Sequence, residues 1–381
     1  MNEIELDYGA ITLDNSILKG EGYRFYEGML AQMRQFKDSP VKVIQTDIVH
    51  NEAINHISQE LSRARSTIEQ ALRSANKQLK IKNDDIDKAR EILSVEGSEE
   101  EIAEQQLDNY YTFIGAEKLD SSEHADLSVL MDMYFSTEPP FETGKDKKNE
   151  FPDAIALLSV EGWAESNDLN IIAVSQDNGW KEFSENSNRI TVVSSLAEAL
   201  EKFQPHNKVA SIIAHIREDS LLDAENHVLK EIENAIIDSL DGEYISIEAD
   251  SFMYYEWDDV NVSYVAHTLD DDKEGLVKIR VVRIDDESIV LKVGATVEVE
   301  VEASFSFSIK DSIDRDYVNM GGNVCTTTES YHTDILLTLA GDFSQGFDDI
   351  EVSEIEVLET ISEARFGEIE PDWRNDYDEN D

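Results

Sequence analysis

From Val297 to Ser308 the chain reads Val-Glu-Val-Glu-Val-Glu-Ala-Ser-Phe-Ser-Phe-Ser. Apolar and polar residues alternate there with a period of two. A helix scatters such a pattern around its axis, whereas a strand sorts it into one dry and one wet face. Lys278–Val282, Ser288–Val293 and Thr333–Leu339 add further strand candidates between Tyr244 and Glu359. Residues 244–365 therefore read as a mainly antiparallel β domain whose strands each keep one face in water.

The first 205 residues carry a different period. Ile11 to Leu13 form a short apolar run ending at Asp14, and Val41 to Gln45 a second one ending at Thr46-Asp47, a polar pair suited to opening a helix. Ile54, Ile57, Leu61, Ala64, Ile68, Ala71, Ala75 and Leu79 recur at helical spacing, and helical pieces follow around Ile86–Leu93 and Ser98–Ile114. This block, about residues 54–115, reads as a helical insertion. Pro152-Asp153 suits the first turn of another helix, Asn170–Val174 is a continuous apolar strand ending in Ser175-Gln176-Asp177, and Ile190–Val193 leads into Ser195 with capping-box spacing to Glu198. Strand, helix, strand, helix in this order implies an α/β domain built on a parallel sheet. Residues 206–243 read as a helical linker, and residues 366–381 as an acidic, disordered tail.

Charge limits what such a chain can bind. It holds 83 acidic against 32 basic residues, a formal net charge of −51. A field of that sign repels polyanions over most of the surface, so any nucleic-acid chemistry must work through bound cations and a local basic patch. The densest basic patch is Lys145, Lys147 and Lys148, with Lys181 beyond it. The acidity also leaves a basic partner protein or a homo-oligomer open. No apolar stretch has the length of a membrane span, and MNEIELDYGA has neither the basic region nor the apolar run of a signal peptide. The single cysteine, Cys325, fits a reducing cytoplasm and has no nucleophile pattern around it. The eight histidines show no zinc spacing; His50 and His56 alone flank a candidate acid.

Four acidic residues stand where a parallel sheet would build a site. Asp14 and Asp177 each end an apolar strand, Glu52 lies early in the helix after the second strand, and Asp153 opens a helix. The carboxyl ends of such strands line the ligand crevice. Carboxylates in this number suit Mg²⁺ or Mn²⁺. Glu150, three residues before Asp153, is a fifth candidate ligand, and Asp47 or Glu60 could stand in for Glu52.

At these residues the sequence resembles the PIN-like nuclease family, in particular a bacterial branch with a helical block inserted before its third motif. The resemblance covers about residues 1–205 and rests on Ile-Thr-Leu-Asp14-Asn-Ser, Asp-Ile-Val-His-Asn-Glu52, Phe-Pro-Asp153-Ala-Ile and Ala-Val-Ser-Gln-Asp177-Asn-Gly-Trp. Asn15 replaces the more usual Thr or Ser. The resemblance implies a Rossmann-like PIN fold with Asp14, Glu52, Asp153 and Asp177 holding Mg²⁺ or Mn²⁺ to cleave RNA, mostly as an endonuclease. The lysines at 145, 147, 148 and 181 would grip the RNA backbone. The β domain would then regulate or target the nuclease, a layout that fits a toxin or an anti-phage effector. Two other readings stand beside this one: an inactive nuclease-like scaffold that binds RNA or protein, and a phosphatase with Asp14 as nucleophile. The last is disfavoured because Ser16 occupies the position where that chemistry needs a second Asp.

Overall fold

The computed structural model describes residues 8–93, 96–144, 147–204, 227–242, 245–272, 275–285, 287–310, 316–341 and 351–372. The chain divides into two compact units, Met1–Pro205 and His206–Asp381. No helix among the described residues is long and apolar enough to cross a membrane.

Unit 1 is built on five short strands: β1 (Ala10–Leu13), β2 (Lys42–Thr46), β3 (Ala116–Leu119), β4 (Ile171–Val174) and β5 (Ile190–Val193). All pair in parallel, in the order β3-β2-β1-β4-β5. β1 and β4 are buried along their whole length. This is why they read as continuous apolar runs: helices cover both faces of a central parallel strand. β3 reads as nothing in sequence. It is an edge strand, Ala-Glu-Lys-Leu, in which Leu119 alone is buried.

The connecting helices are α1 (Asn15–Gly20), α2 (Gly28–Gln32), α3 (Asp47–Leu79), α4 (Asn83–Leu93), α5 (Glu99–Ile114), α6 (Ser121–His124), α7 (Leu127–Ser136), α8 (Phe151–Asn167), α9 (Asn178–Ser184) and α10 (Leu196–Lys202). Short 3₁₀ turns cover Met33–Phe36 and Lys147–Glu150. The helix after β2 and the long amphipathic helix expected from Ile54 are one element, α3. Thr46 caps it, its side chain accepting from the Val49 amide at 3.2 Å. Val49, His50, Ala53, Ile54 and Ile57 bury its first turns, and beyond them Leu72 is its one fully buried residue. α5 starts with a reciprocal capping box between Ser98 and Glu101. It ends at Gly115 (φ 71°), where a Cβ would meet the Lys37 backbone at 2.9 Å, so glycine is needed for both reasons.

Unit 2 contains α11 (His227–Ser239) and strands β6 (Ser246–Asp250), β7 (Tyr254–Leu269), β8 (Ile279–Ile284), β9 (Ser288–Lys310), β10 (Tyr317–Ala340), β11 (Glu351–Val357) and β12 (Glu363–Glu368). The main sheet is antiparallel, ordered β11-β10-β9-β7 with β8 on β9. The separate strands expected at 288–293, 297–302 and 304–308 are one 23-residue strand, β9. The alternation never slips phase: Val293, Ala295, Val297, Val299, Val301, Ala303, Phe305 and Phe307 are all buried on one face. Val228, Ile232 and Ile236 of α11 join this core. β6 and β12 form a small parallel pair beside the antiparallel sheet. β12, the buried Ile369 and a hydrogen bond from Asn323 to the Glu370 carbonyl carry the ordered structure past the expected boundary at 365. Most of the expected helical linker, residues 206–226, and the end of the acidic tail, 373–381, lie outside the described residues.

Candidate active site

In the strand order of unit 1 the chain moves outward from β1 to β2 and β3, then returns to β4 on the other side of β1. The switch point therefore lies between β1 and β4, and ligands of open parallel sheets bind beyond the carboxyl ends of the strands at such a point. Asp14 follows β1 directly, and its amide donates to the Val174 carbonyl of β4 at 2.9 Å. On the other side β1 and β2 pair through Ala10–Lys42 and Ile11–Val43. The buried Gln45 side chain takes over where that register ends. Its amide nitrogen donates to the Leu13 carbonyl at 2.7 Å, and its oxygen accepts from the Leu13 amide at 3.3 Å and the Thr12 hydroxyl at 3.1 Å. A side chain thus satisfies both backbone groups of Leu13, and the crevice opens without orphaned donors.

Asp14 is 6% exposed, and its Oδ2 accepts hydrogen bonds from the Ser16 hydroxyl and, at 2.8 Å, from the Ser175 hydroxyl. Ser175 in turn accepts from the Asp177 amide at 3.0 Å. Asp177 caps α9, with its Oδ1 accepting from Gly179 N at 2.6 Å and Trp180 N at 3.4 Å. The indole of the buried Trp180 reaches Asp153, on the first turn of α8, and donates to its Oδ1 at 2.7 Å. Ser175 and Trp180 thus tie three of the four acids into one hydrogen-bonded chain.

The fourth acid joins through charge. Burial first, then the charges of Asp153 and Asp14, push the Glu52 carboxyl from its ordinary 4.5 up to about 7. Asp153 rises to about 6, mainly through burial, with Asp14, Asp177 and Glu150 adding and the Trp180 hydrogen bond opposing. The candidate acids therefore share one electrostatic environment, with Glu150 at its edge. The alternatives for Glu52 are engaged elsewhere: Asp47 accepts from the amide and hydroxyl of Ser121, and the exposed Glu60 pairs with Arg63 at 2.6 Å. His50 is buried against the Tyr111 ring, at 5.6 Å between centroids, and burial lowers its pKa.

The basic patch is less uniform than its spacing implies. Lys147 donates to the Thr137 hydroxyl at 2.6 Å and lies 4.7 Å over the Tyr134 ring. Lys148 is exposed on the turn before α8, and Lys181 is half-buried on α9. Lys145 lies outside the described residues.

Residues 11–180 match the family model described as PIN domain, a span that holds all four acids and both Ser175 and Trp180. This segment has a PIN-like fold. PIN domains are generally nucleases and typically use divalent metals, so unit 1 has a nuclease-type fold. No curated protein and no solved structure matches the chain. Unit 2 lies outside the family match.

The donor set of the PIN domain suits a hard divalent cation. It consists of carboxylate oxygens with hydroxyls behind them, and Glu52 and Asp153, raised first by burial and then by neighbouring carboxylates, are groups whose charged form a cation would favour. Among the described residues no three His, Cys, Asp or Glu side chains form a ready-made cage. Mg²⁺ and Mn²⁺ sites tolerate this, because such ions keep several waters and take one or two carboxylates. Three contributors escaped the sequence reading. Gln45 was visible only as a polar residue closing a buried strand, the Trp180 indole as part of a motif, and Tyr23 not at all. Tyr23 donates to the Asn15 side-chain oxygen at 3.2 Å, and its hydroxyl is pushed up to about 12 by burial and by Glu60 and Glu52.

Proposed function

We propose that the PIN domain hydrolyses RNA phosphodiester bonds as a metal-dependent endonuclease, and that unit 2 regulates it or selects its target, as in a toxin or an anti-phage effector. The observation that carries this reading is the gathering of Asp14, Glu52, Asp153 and Asp177 into one electrostatic environment beside the switch point between β1 and β4. Asp14, Glu52, Asp153 and Asp177 would hold Mg²⁺ or Mn²⁺, with Glu150 contributing from the flank. When bound, such ions polarise a phosphoryl oxygen and lower the pKa of water. The protein's own part is positioning. Ser16 and Ser175 orient the Asp14 carboxylate, Trp180 orients Asp153, and the Asp177 cap fixes α9. With a cation bound, the Glu52 carboxyl would be held ionised as one of its oxygen donors.

A second reading is an inactive nuclease-like scaffold that binds RNA or protein; the formal net charge of −51, which repels an RNA substrate, favours its protein-binding form. One experiment separates the two. The full chain is incubated with single-stranded RNA, structured RNA and DNA, in Mg²⁺, Mn²⁺ or chelator, beside Asp14→Asn and Asp153→Asn. Metal-dependent cutting of RNA that both variants lose supports the nuclease. Absence of cutting on every substrate, by a protein with an intact thermal transition, supports the scaffold.

A further inference from the structure

Beside the carboxylates lies a cleft that the proposed chemistry does not use. It has a volume of about 360 Å³ and lies between the loop joining α1 to α2 and the helix α5 of the insertion. Tyr23, Arg24, Tyr26 and Glu27 line one side, and Gln106 and Asn109 of α5 the other. Tyr23 belongs to both places. The residue lines the cleft, while its hydroxyl bonds Asn15, the residue after Asp14, and feels the charge of Glu52. Whatever enters the cleft is therefore one tyrosine ring away from the acids.

The walls are held in place. Phe25 stacks on the buried Tyr110 at 4.5 Å between centroids, and the Tyr110 hydroxyl donates to the Leu30 carbonyl at 3.1 Å. Tyr26 packs edge-on against Phe113 of α5 at 5.2 Å yet stays 55% exposed. Tyr23 holds a left-handed backbone, φ 53°, which is uncommon for an aromatic residue. A fixed, exposed ring beside two exposed side-chain amides has the composition of a nucleobase site: a face to stack on, and donors and acceptors for the base edge. The electrostatics select the same group. Arg24 and Glu27 in the lining offset each other, and Glu52 and Glu60 act on Tyr23, so the cleft carries no net positive charge to hold a phosphate, whereas a neutral ring needs none.

We infer that this cleft binds one base of single-stranded RNA next to the scissile phosphate, with Tyr26 and Tyr23 as the stacking platform and Gln106 and Asn109 reading the base edge. This inference rests on the nuclease reading. It makes the helical insertion a source of sequence preference.

The test uses the full chain carrying Asp177→Asn, because asparagine keeps the α9 cap while removing one acid. It is titrated in Mn²⁺ with oligouridine RNAs that each carry one 2-aminopurine at a different position, a base whose fluorescence falls on stacking. The expected result is a strong drop at one label position. Tyr26→Leu should abolish that drop and weaken binding roughly 5- to 100-fold, the range for loss of one base–aromatic stack. Gln106→Ala and Asn109→Ala, at exposed positions, should change the affinity ratio between oligoadenosine and oligouridine. The inference alone is overturned if the unaltered chain cuts RNA while Tyr26→Leu, with an unchanged melting curve, binds and quenches like its parent. If no RNA is bound or cut in any metal, the nuclease reading fails and this inference fails with it.

Discussion

Trp180 donates through its indole to Asp153 at 2.7 Å, and its backbone amide donates to Asp177 at 3.4 Å. One buried residue thereby positions two of the four acids. Trp180→Phe keeps an aromatic ring in the core and removes the indole donor. Asp153 then loses the one interaction that holds its pKa down, so its carboxyl rises further above about 6. The expected outcome is Mn²⁺ binding weaker by about 10- to 100-fold, with the low-pH limb of RNA cleavage moved to higher pH. Calorimetric titration and a pH–rate profile read the two effects. A profile that stays in place would show that Trp180 serves packing alone.

The raised carboxyls also set how stability depends on pH. Glu52 goes from 4.5 to about 7 and Asp153 from 3.8 to about 6 on folding. Below about pH 3 both are largely protonated, folded or unfolded, and contribute nothing. Between the unfolded and folded values the native state holds more protons than the unfolded chain, so stability falls as pH rises, and the penalty is complete above about pH 8. A divalent cation reverses its sign. Mn²⁺ should therefore raise the melting temperature of unit 1 strongly at pH 8 and little at pH 5. In chelator at pH 8, Asp153→Asn should stabilise by on the order of 1 kcal/mol, or about 2–4 °C, once solvent screening is allowed for. Scanning calorimetry checks both, and equal metal effects at the two pH values would remove the acids from metal binding.

Gln45 offers a test of how the crevice is kept open. It is 3% exposed and makes three hydrogen bonds across the end of β1. Gln45→Leu has similar volume but leaves the Leu13 amide and carbonyl and the Thr12 hydroxyl unpaired in the core. The expected cost is about 3 kcal/mol, measured as a shift of the urea midpoint with an unchanged slope. An altered protein that unfolds like the original would mean that water or neighbouring groups satisfy Leu13.

The four candidate acids stand out in the sequence because each sits at a local signal: a strand end for Asp14 and Asp177, the early part of a helix for Glu52 and Asp153. What assembles them does not. The hydrogen bond from Trp180 to Asp153 spans 27 positions and that from Ser175 to Asp14 spans 161, and no periodicity encodes such distances. β3 was hidden because an edge strand with one buried residue carries no alternation. The lengths of β9 and β10 were hidden for a different reason: a period of two marks a strand but gives no sign that adjacent runs are continuous. The cleft beside Tyr23 depends on aromatic residues in a loop, where spacing has no fixed meaning.

The lysines separate a spacing argument from a structural one. Lys145, Lys147 and Lys148 form one cluster in sequence, yet Lys147 is committed to Thr137 and the Tyr134 ring. Lys148 is exposed just before α8, and Lys181 lies on the helix that Asp177 caps. On single-stranded nucleic acid each neutralised phosphate contributes about 0.7 to the slope of log K against log salt concentration. Replacing Lys148 and Lys181 by alanine together should therefore lower that slope by about 1.4 and weaken RNA binding most at low salt. Lys147→Ala should instead lower the melting temperature, through loss of a cation–π contact of about 0.5–1 kcal/mol, and leave the slope nearly unchanged. Anisotropy titrations at several salt concentrations decide it. A flat response of the double variant would take both lysines off the RNA path, and a slope change in Lys147→Ala would put that side chain back on it.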